Sequence, residues 1–305
     1  MTEHPVWHES ESFWEAFEGF VFPPEQIERA REQVEQVLEL IDLDSGPDAD
    51  ADPDEDKQIL DMPCGVGRHA IVLADCGFAV TGVDNTTPYL DTARERAAAA
   101  GIEGSVEFVE RDMRAFDQEG KFDAAINLYT SFGYFDDRAD DERVARNFHD
   151  ALKPGGALVM GIASKETLAG RFRKRTWEQR NGSYMLEEHA ITEDWSRIEN
   201  RWILVENVDD DTGDAEDASG GDSDSGDDDS GDGSDGDSDD GSTENGVRET
   251  DATVREFSVT HRLYSAFELA ELLRGVGFGE VECYGDFEGG DFDENAEQLV
   301  IVARK

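Results

Sequence analysis

Positive charge is what this 305-residue chain has least of: 27 lysines and arginines stand against 74 aspartates and glutamates, a formal net charge of −47. Lysine is the scarcer cation, at six residues against 21 arginines. Binding to a phosphate backbone needs clustered Lys and Arg, and the densest basic run, Arg171-Phe172-Arg173-Lys174-Arg175, is short and sits in an acidic context. A small-molecule partner is therefore expected, with no nucleic acid. Cysteine is also scarce. Cys64, Cys76 and Cys283 form neither an even set nor a metal-binding spacing, which excludes a disulfide framework and a structural zinc site, so no metal is expected. No run of about 18 apolar residues marks a membrane helix, and the start Met1-Thr2-Glu3-His4-Pro5 carries no basic and apolar leader. The expected location is the cytoplasm, as a monomer or homodimer.

Acids are scattered through nearly every surface-like segment, as in haloarchaeal-type proteins adapted to molar cytoplasmic salt. The Debye length at 1 M salt is about 3 Å, which screens the self-repulsion of such a chain. Two stretches are acidic throughout. Asp44 to Asp56 holds seven acids and no base, and reads as a solvated linker. Asp209 to Gly246 holds 17 acids, no base and almost nothing apolar, a Gly/Ser/Asp composition expected to stay disordered. It fits neither an EF-hand loop nor the nonapeptide calcium repeat.

Between these stretches lies the most informative segment, Ile59-Leu60-Asp61-Met62-Pro63-Cys64-Gly65-Val66-Gly67-Arg68-His69-Ala70. A short apolar run, then glycines at alternate positions, then a helix start, is how a buried parallel strand turns tightly under a ligand. Asp84 closes the next apolar run, Ala79 to Val83, at the place where a carboxylate accepts ribose hydroxyls. Gly65-x-Gly67-x-x-Ala70 also satisfies a loosened dinucleotide fingerprint. Asp61 argues for the other cofactor, because an anion there opposes a pyrophosphate and suits the ammonium of a methionine moiety. Further on, Val106 to Val109 alternates before Asp112-Met113, a pair suited to adenine: the carboxylate accepts the exocyclic amine and the thioether packs on the ring. A fourth strand, Phe122 to Leu128, delivers Tyr129 to Phe135 to the carboxyl edge of the sheet.

Asp61-x-Pro63-x-Gly65-x-Gly67-Arg68-His69, Asp84, Asp112-Met113 and Asn127-Leu128-Tyr129-Thr130-Ser131-Phe132-Gly133-Tyr134-Phe135 together make the chain resemble the class I S-adenosylmethionine-dependent methyltransferases, in a branch acting on small molecules. The turn Leu152-Lys153-Pro154-Gly155-Gly156 and the apolar runs after Phe278 and from Leu299 fit as well, so the likeness spans residues 12 to 305 apart from the acidic stretches. One departure is Pro63, where the family has Gly; it removes a backbone N–H and stiffens the loop. The resemblance implies an α/β, doubly wound, seven-stranded and mostly parallel Rossmann-like sheet, with a small antiparallel capping sheet inserted after the fifth strand. It implies cofactor contacts from Asp61, Pro63, Gly65, Gly67, Asp84, Asn85, Asp112, Met113, Asn127 and Leu128.

The corresponding division is an N-terminal helical lid over 1–43, a linker over 44–56, the cofactor domain over 57–170 and 265–305, and capping strands over 171–264 that include the 209–246 insert. Arg201 to Glu206 and Thr253 to Tyr264 alternate like paired strands, with Ser183 to Glu188 as a third, so the insert lengthens a hairpin tip. Tyr129, Ser131 and Tyr134 are candidates to align the methyl acceptor. Trp14, Phe20, Arg262 and Tyr264 are candidates for the substrate pocket, with packing of the cap as the competing role for each. His69 and His149 read as structural, because methyl transfer from a sulfonium needs alignment more than a strong base. Asn127-Leu128-Tyr129 is not the Asn/Asp-Pro-Pro-Tyr segment of nucleic-acid amino methyltransferases. An NAD-dependent oxidoreductase and a non-catalytic cofactor-binding protein are the alternatives.

Overall fold

Residues 7, 10–44, 56–206 and 252–305 are described by the structure, a computed structural model. Of the stretch expected as a linker, 44–56, residues 45–55 lie outside these residues, as does the whole expected insert, 209–246.

Four parallel strands come first along the chain: β1 (Gln58–Asp61), β2 (Ala79–Asp84), β3 (Val106–Glu110) and β4 (Phe122–Asn127). In β1, β2 and β4 the residues alternate between two buried faces, whereas β3, at the sheet edge, is buried only at Val106. Ile59, Ala124 and Ile126 face one core; Leu60 and Ala125 face the other. A strand buried on both sides has no room for the polar half of an amphipathic pattern, and for that reason β1 and β4 read as continuous apolar runs. β5 (Leu152–Ile162) joins them after α6 (Arg138–Ala151). It starts earlier than the turn expected over Leu152 to Gly156: Leu152 pairs with Phe122, and the register then shifts so that Ala157 meets Ala124. β10 (Glu280–Tyr284) and β11 (Leu299–Arg304) close the sheet, β11 running antiparallel to both β5 and β10. The order β10-β11-β5-β4-β1-β2-β3 reverses direction between β1 and β4, the crevice where ligands bind in open α/β sheets. The mostly parallel, doubly wound expectation is met.

Helices pack on both faces. α4 (Arg68–Asp75) follows the glycine loop, α5 (Thr87–Ala100) follows β2, and α8 (Ala266–Val276) leads into β10. Gly67, at φ +73°, is the residue before α4; a Cβ there would lie 2.9 Å from Ala93 Cβ and from Phe108 Cζ, so this glycine is required by close helix packing. Ser265 and Glu268 form a capping box at the start of α8. At the N-terminus lie α1 (Glu11–Val21), α2 (Pro24–Glu28) and α3 (Ala30–Leu40), with the break between α2 and α3 at Arg29.

After β5 and α7 (Lys165–Arg171) the chain builds a separate antiparallel sheet from β6 (Arg175–Arg180), β7 (Ser183–Thr192), β8 (Arg197–Glu206) and β9 (Thr253–Arg262). Glu206 pairs with Thr253, so the strand ends flanking the acidic insert lie side by side. One face of this sheet presents Met185, Leu204 and Val259 to Phe13 and Phe17 of α1, making a third apolar core apart from the two that sandwich the main sheet. Each such side chain contributes roughly 1.5–3 kcal/mol on burial. Trp177 is turned away from that core, 68% exposed.

Candidate functional site

Where β1 ends, Cys64 N–H bonds the carbonyl of Val83 at 2.9 Å and Gly65 N–H bonds Asp84 Oδ2 at 2.8 Å, which folds the glycine loop back over the end of β2. Asp84 Oδ1 accepts from Thr86 N–H at 2.9 Å. Burial pushes the Asp84 carboxyl upward, and these backbone donors pull it back. The loop and the ends of β2, β3 and β4 floor a cavity of about 260 Å³, roofed by α1, α2 and the antiparallel sheet.

Asp61 lines this cavity and is 2% exposed. Its Oδ2 has no hydrogen-bond partner among the described residues. Desolvation pushes its pKa up to about 8, against the pull of the Arg68 charge. A buried carboxyl with an orphaned oxygen is costly unless a donor arrives from the cavity. Gly65, at φ +53°, leaves its Cα face bare: a Cβ there would lie 2.6 Å from Phe22 Cζ. Pro63, Asn85, Met113 and Leu128 also line the cavity.

Three expected cofactor residues sit differently. Asp112 lines the cavity, but its carboxylate is gripped by the Arg114 guanidinium, with Nε at 2.9 Å, and caps the following 3₁₀ turn through Arg114 N–H at 2.7 Å. Both oxygens are engaged by Arg114, so an amine arriving from the cavity would have to share them with the guanidinium. Asn127 is fully buried behind the lining, where Nδ2 donates to the carbonyls of Met62 and Ser131 at 2.9 and 3.0 Å. It braces the glycine loop against the loop after β4. Gly67 also stands behind the lining and serves helix packing.

The acceptor candidate Tyr129 and its neighbour Thr130 both have left-handed backbones, at φ +60° and +59°, an outlier for a β-branched threonine. The conformation is held by Thr130 N–H to Gly161 O and by Ala163 N–H to Thr130 Oγ1, each 2.9 Å. The strain turns Tyr129 toward the N-terminal helices: its hydroxyl accepts from Gln33 Nε2 at 2.6 Å and its ring carries the Arg68 guanidinium at 3.5 Å. Tyr134 is hydrogen-bonded to Ser131, and burial pushes its phenol up to about 12. These two hydroxyls face the cavity together with Trp14 and Phe20. His69 lines the cavity too; burial and the Arg68 charge hold its pKa well below the usual value, and Nε2 lies 3.1 Å from Gln33 Oε1.

Arg262 and Tyr264 are corrections. Neither lines the cavity. Arg262 Nε and Tyr264 hydroxyl both donate to Oδ2 of the fully buried Asp141 on α6, at 3.0 and 2.7 Å, and Arg262 N–H bonds the carbonyl of Gly133 at 2.7 Å. Their job is to bolt the end of β9 to the main fold. The cap instead reaches the cavity through Met185 and Trp202. Sequence reasoning missed Met185, Arg68 and Gln26 as lining residues; only the Gly67-Arg68-His69 continuation of the loop marked one of them.

Residues 59–156 match a family model described as a methyltransferase domain. The putative methyltransferase YqeM of Bacillus subtilis (strain 168) is 29% identical over 156 residues, covering 50% of this chain and 62% of that protein. The chain thus spans less than two thirds of that relative's length. In solved structures the fold is similar to the CcbJ methyltransferase from Streptomyces caelestis, with TM-score 0.65 and 20% identity over 93% of this chain and 97% of that one. It is also similar to an S-adenosylmethionine-dependent methyltransferase from Clostridium acetobutylicum ATCC 824, with TM-score 0.66 and 12% identity over 96% and 97%. At these identities the structural likeness concerns the fold alone.

Proposed function

We propose that the protein is an S-adenosylmethionine-dependent methyltransferase that modifies a small-molecule acceptor. The observation that carries this reading is Asp61, a buried carboxylate whose orphaned oxygen opens onto the cavity at the switch point of the sheet, within the segment that matches a methyltransferase domain. An ammonium supplies both the charge and the donor that this oxygen lacks.

The residues present suit the cofactor. Asp61 would hold the methionine ammonium, Asp84 the ribose hydroxyls, and Asp112 with Met113 the adenine, while Leu128 and the bare backbone at Gly65 allow close approach. The cofactor supplies a methyl group on a positively charged sulfur, a good electrophile that needs no activation. What the chain adds is alignment: Ser131 and Tyr134 orient the acceptor atom, and the aromatic wall of Trp14 and Phe20 excludes water and favours positive charge. Tyr129, which also lines the cavity, accepts from Gln33 through its hydroxyl and stacks on Arg68, so its reach to the acceptor is set by these two contacts. The phenol of Tyr134 stays protonated at neutral pH, so it donates a hydrogen bond and does not remove a proton. An amine or carboxylate acceptor that arrives deprotonated needs no more.

The acid excess supports work at molar salt in the cytoplasm of a salt-adapted cell, and no helix among the described residues is long and apolar enough to cross a membrane. An NAD-dependent oxidoreductase fits less well, since Asp61 would face a pyrophosphate. Calorimetry with S-adenosylhomocysteine in 2 M KCl tests the reading. Binding is expected in the wild type, weakened about 100-fold or more in Asp84→Ala, the scale of two hydrogen bonds to a charged group. Incubation with isotope-labelled cofactor and a metabolite extract, followed by mass spectrometry, should yield a labelled acceptor. Cofactor binding with no labelled acceptor would favour a non-catalytic binding protein; NAD binding in its place would sink the proposal.

A further inference from the structure

Charge is unevenly spread around the cavity. Asp61, Arg68, Asp84, Arg111 and Asp112 all belong to its floor, at the ends of β1, β2 and β3 and the start of α4. The roof differs: Trp14 and Phe20 of α1, Met185 of β7 and Trp202 of β8 line it, and among the described residues α1 and the antiparallel sheet bring no charged side chain to the cavity. With 33% of the chain charged, and Glu11 and Glu15 on the exposed side of α1, the sorting is by face and not by supply. Nor is the roof simply core. Phe13 and Phe17 are 0% exposed and fill the third core, whereas Trp14, Phe20 and Trp202 are half-buried, with apolar surface still open to the cavity. The two indoles are held from behind. The Trp202 ring centroid lies 5.4 Å from that of Phe13 and 5.2 Å from that of Phe17, and Trp14 lies 4.9 Å from Phe13 while its carbonyl accepts from the Tyr89 hydroxyl at 2.8 Å. Rings fixed in this way offer a preformed flat surface, and the pliable thioether of Met185 moulds to a planar body laid against it.

A charged or sugar-like acceptor would lose its water at this roof and find no counter-ion there in return. The loop after β4 adds the hydroxyls of Ser131 and Tyr134, bonded to each other, enough to orient one reacting atom. We propose that the roof is the acceptor subsite and that the acceptor is an uncharged amine carried on an apolar ring. An aryl amine keeps its lone pair at neutral pH without a base, which suits a cavity where the Tyr134 phenol stays protonated and His69 is held to a weak basicity. In the reaction that lone pair forms the new N–C bond as the methyl carbon leaves sulfur. The C–S electron pair stays on sulfur as a neutral thioether, and the nitrogen, now positive, releases a proton to water. The transfer rests on the methyltransferase reading above; the ring subsite does not.

The probe is 1-aminonaphthalene, which is uncharged at neutral pH and whose own fluorescence moves to shorter wavelength in apolar surroundings. It is titrated into the full chain in molar KCl, with and without saturating S-adenosylhomocysteine, and 1-naphthoate, glucosamine and glycine are then tested for displacing it. The proteins are wild type, Trp202→Leu, which keeps apolar contact with Phe13 and Phe17, and Met185→Gln, which keeps the length of the side chain; thermal unfolding checks that each is folded. The loaded wild type should bind the amine with the fluorescence shift, at least about tenfold more tightly than any of the three competitors. Trp202→Leu should weaken the amine about fivefold, the scale of one aromatic contact, and Met185→Gln about threefold, while S-adenosylhomocysteine, followed by calorimetry, stays within about twofold. Naphthoate, glucosamine or glycine binding as tightly as the amine overturns the proposal, and so does amine binding that neither variant changes. A parallel loss of S-adenosylhomocysteine in both variants also overturns it, by giving the roof to the methyl donor. A wild type that binds the amine but not S-adenosylhomocysteine would refute the methyltransferase reading and leave the ring subsite standing; one that binds S-adenosylhomocysteine but not the amine would do the reverse.

Discussion

A carboxyl group with almost no exposed surface and one idle oxygen sets its own pH dependence. In the ligand-free protein Asp61 titrates near pH 8, whereas in the unfolded chain it titrates near the ordinary 3.8. Between those values the folded state holds a proton that the unfolded state has released. Ligand-free stability should therefore fall as pH rises from about 4 to about 8 and level off above, and Asp61→Asn should flatten that slope in denaturant titrations. Binding an ammonium reverses the preference, so uptake of S-adenosylhomocysteine at pH 6–7 should expel close to one proton, and affinity should rise with pH up to about 8. Calorimetry in two buffers of different ionisation enthalpy counts that proton; a count of zero would mean that Asp61 is already ionised. Asp61 and Asp84 were legible in the sequence because strand, glycine loop and second acid are fixed in spacing. The pairing of Arg68 with Gln26 and Tyr129 was not, since it joins segments 42 residues or more apart, and no local pattern reports such a meeting.

At the level of elements, a buried acid is one of the fastenings between the antiparallel sheet and the main fold. Asp141 on α6 takes Arg262 and Tyr264 on the same oxygen, and these hydrogen bonds with the Arg262 charge counter the desolvation that pushes its carboxyl upward. Asp141→Ala would leave the 15%-exposed Arg262 side chain without its counter-ion. A loss of about 3 kcal/mol in unfolding free energy is expected, with little change in affinity for S-adenosylhomocysteine. The sequence placed β7, β8 and β9 by their alternation. It left out β6 because Arg175-Thr176-Trp177-Glu178-Gln179-Arg180 has no buried face to alternate against, its residues being exposed or intermediate throughout. The residues expected in a substrate pocket divided by position, which composition cannot reveal: Trp14 and Phe20 on α1 line the cavity, whereas Arg262 and Tyr264 lie outside its lining and meet α6.

For the whole molecule, charge is the dominant fact. A net −47 is repelled over distances that about 0.1 M salt, with a Debye length near 10 Å, screens poorly and 1 M salt screens well. The melting temperature should climb steeply between 0.1 and 2 M KCl, and a flat profile in differential scanning calorimetry would refute salt adaptation. The third core has a different bearing, on synthesis. Phe13 and Phe17 lie on α1, yet the partners that cover them, Met185, Leu204 and Val259, come from strands made much later along the chain. A ribosome adding about 5–20 residues per second leaves that aromatic helix uncovered for tens of seconds. The nascent chain thus carries an adhesive helix until β9 emerges, and whatever shields that helix governs the yield of folded protein.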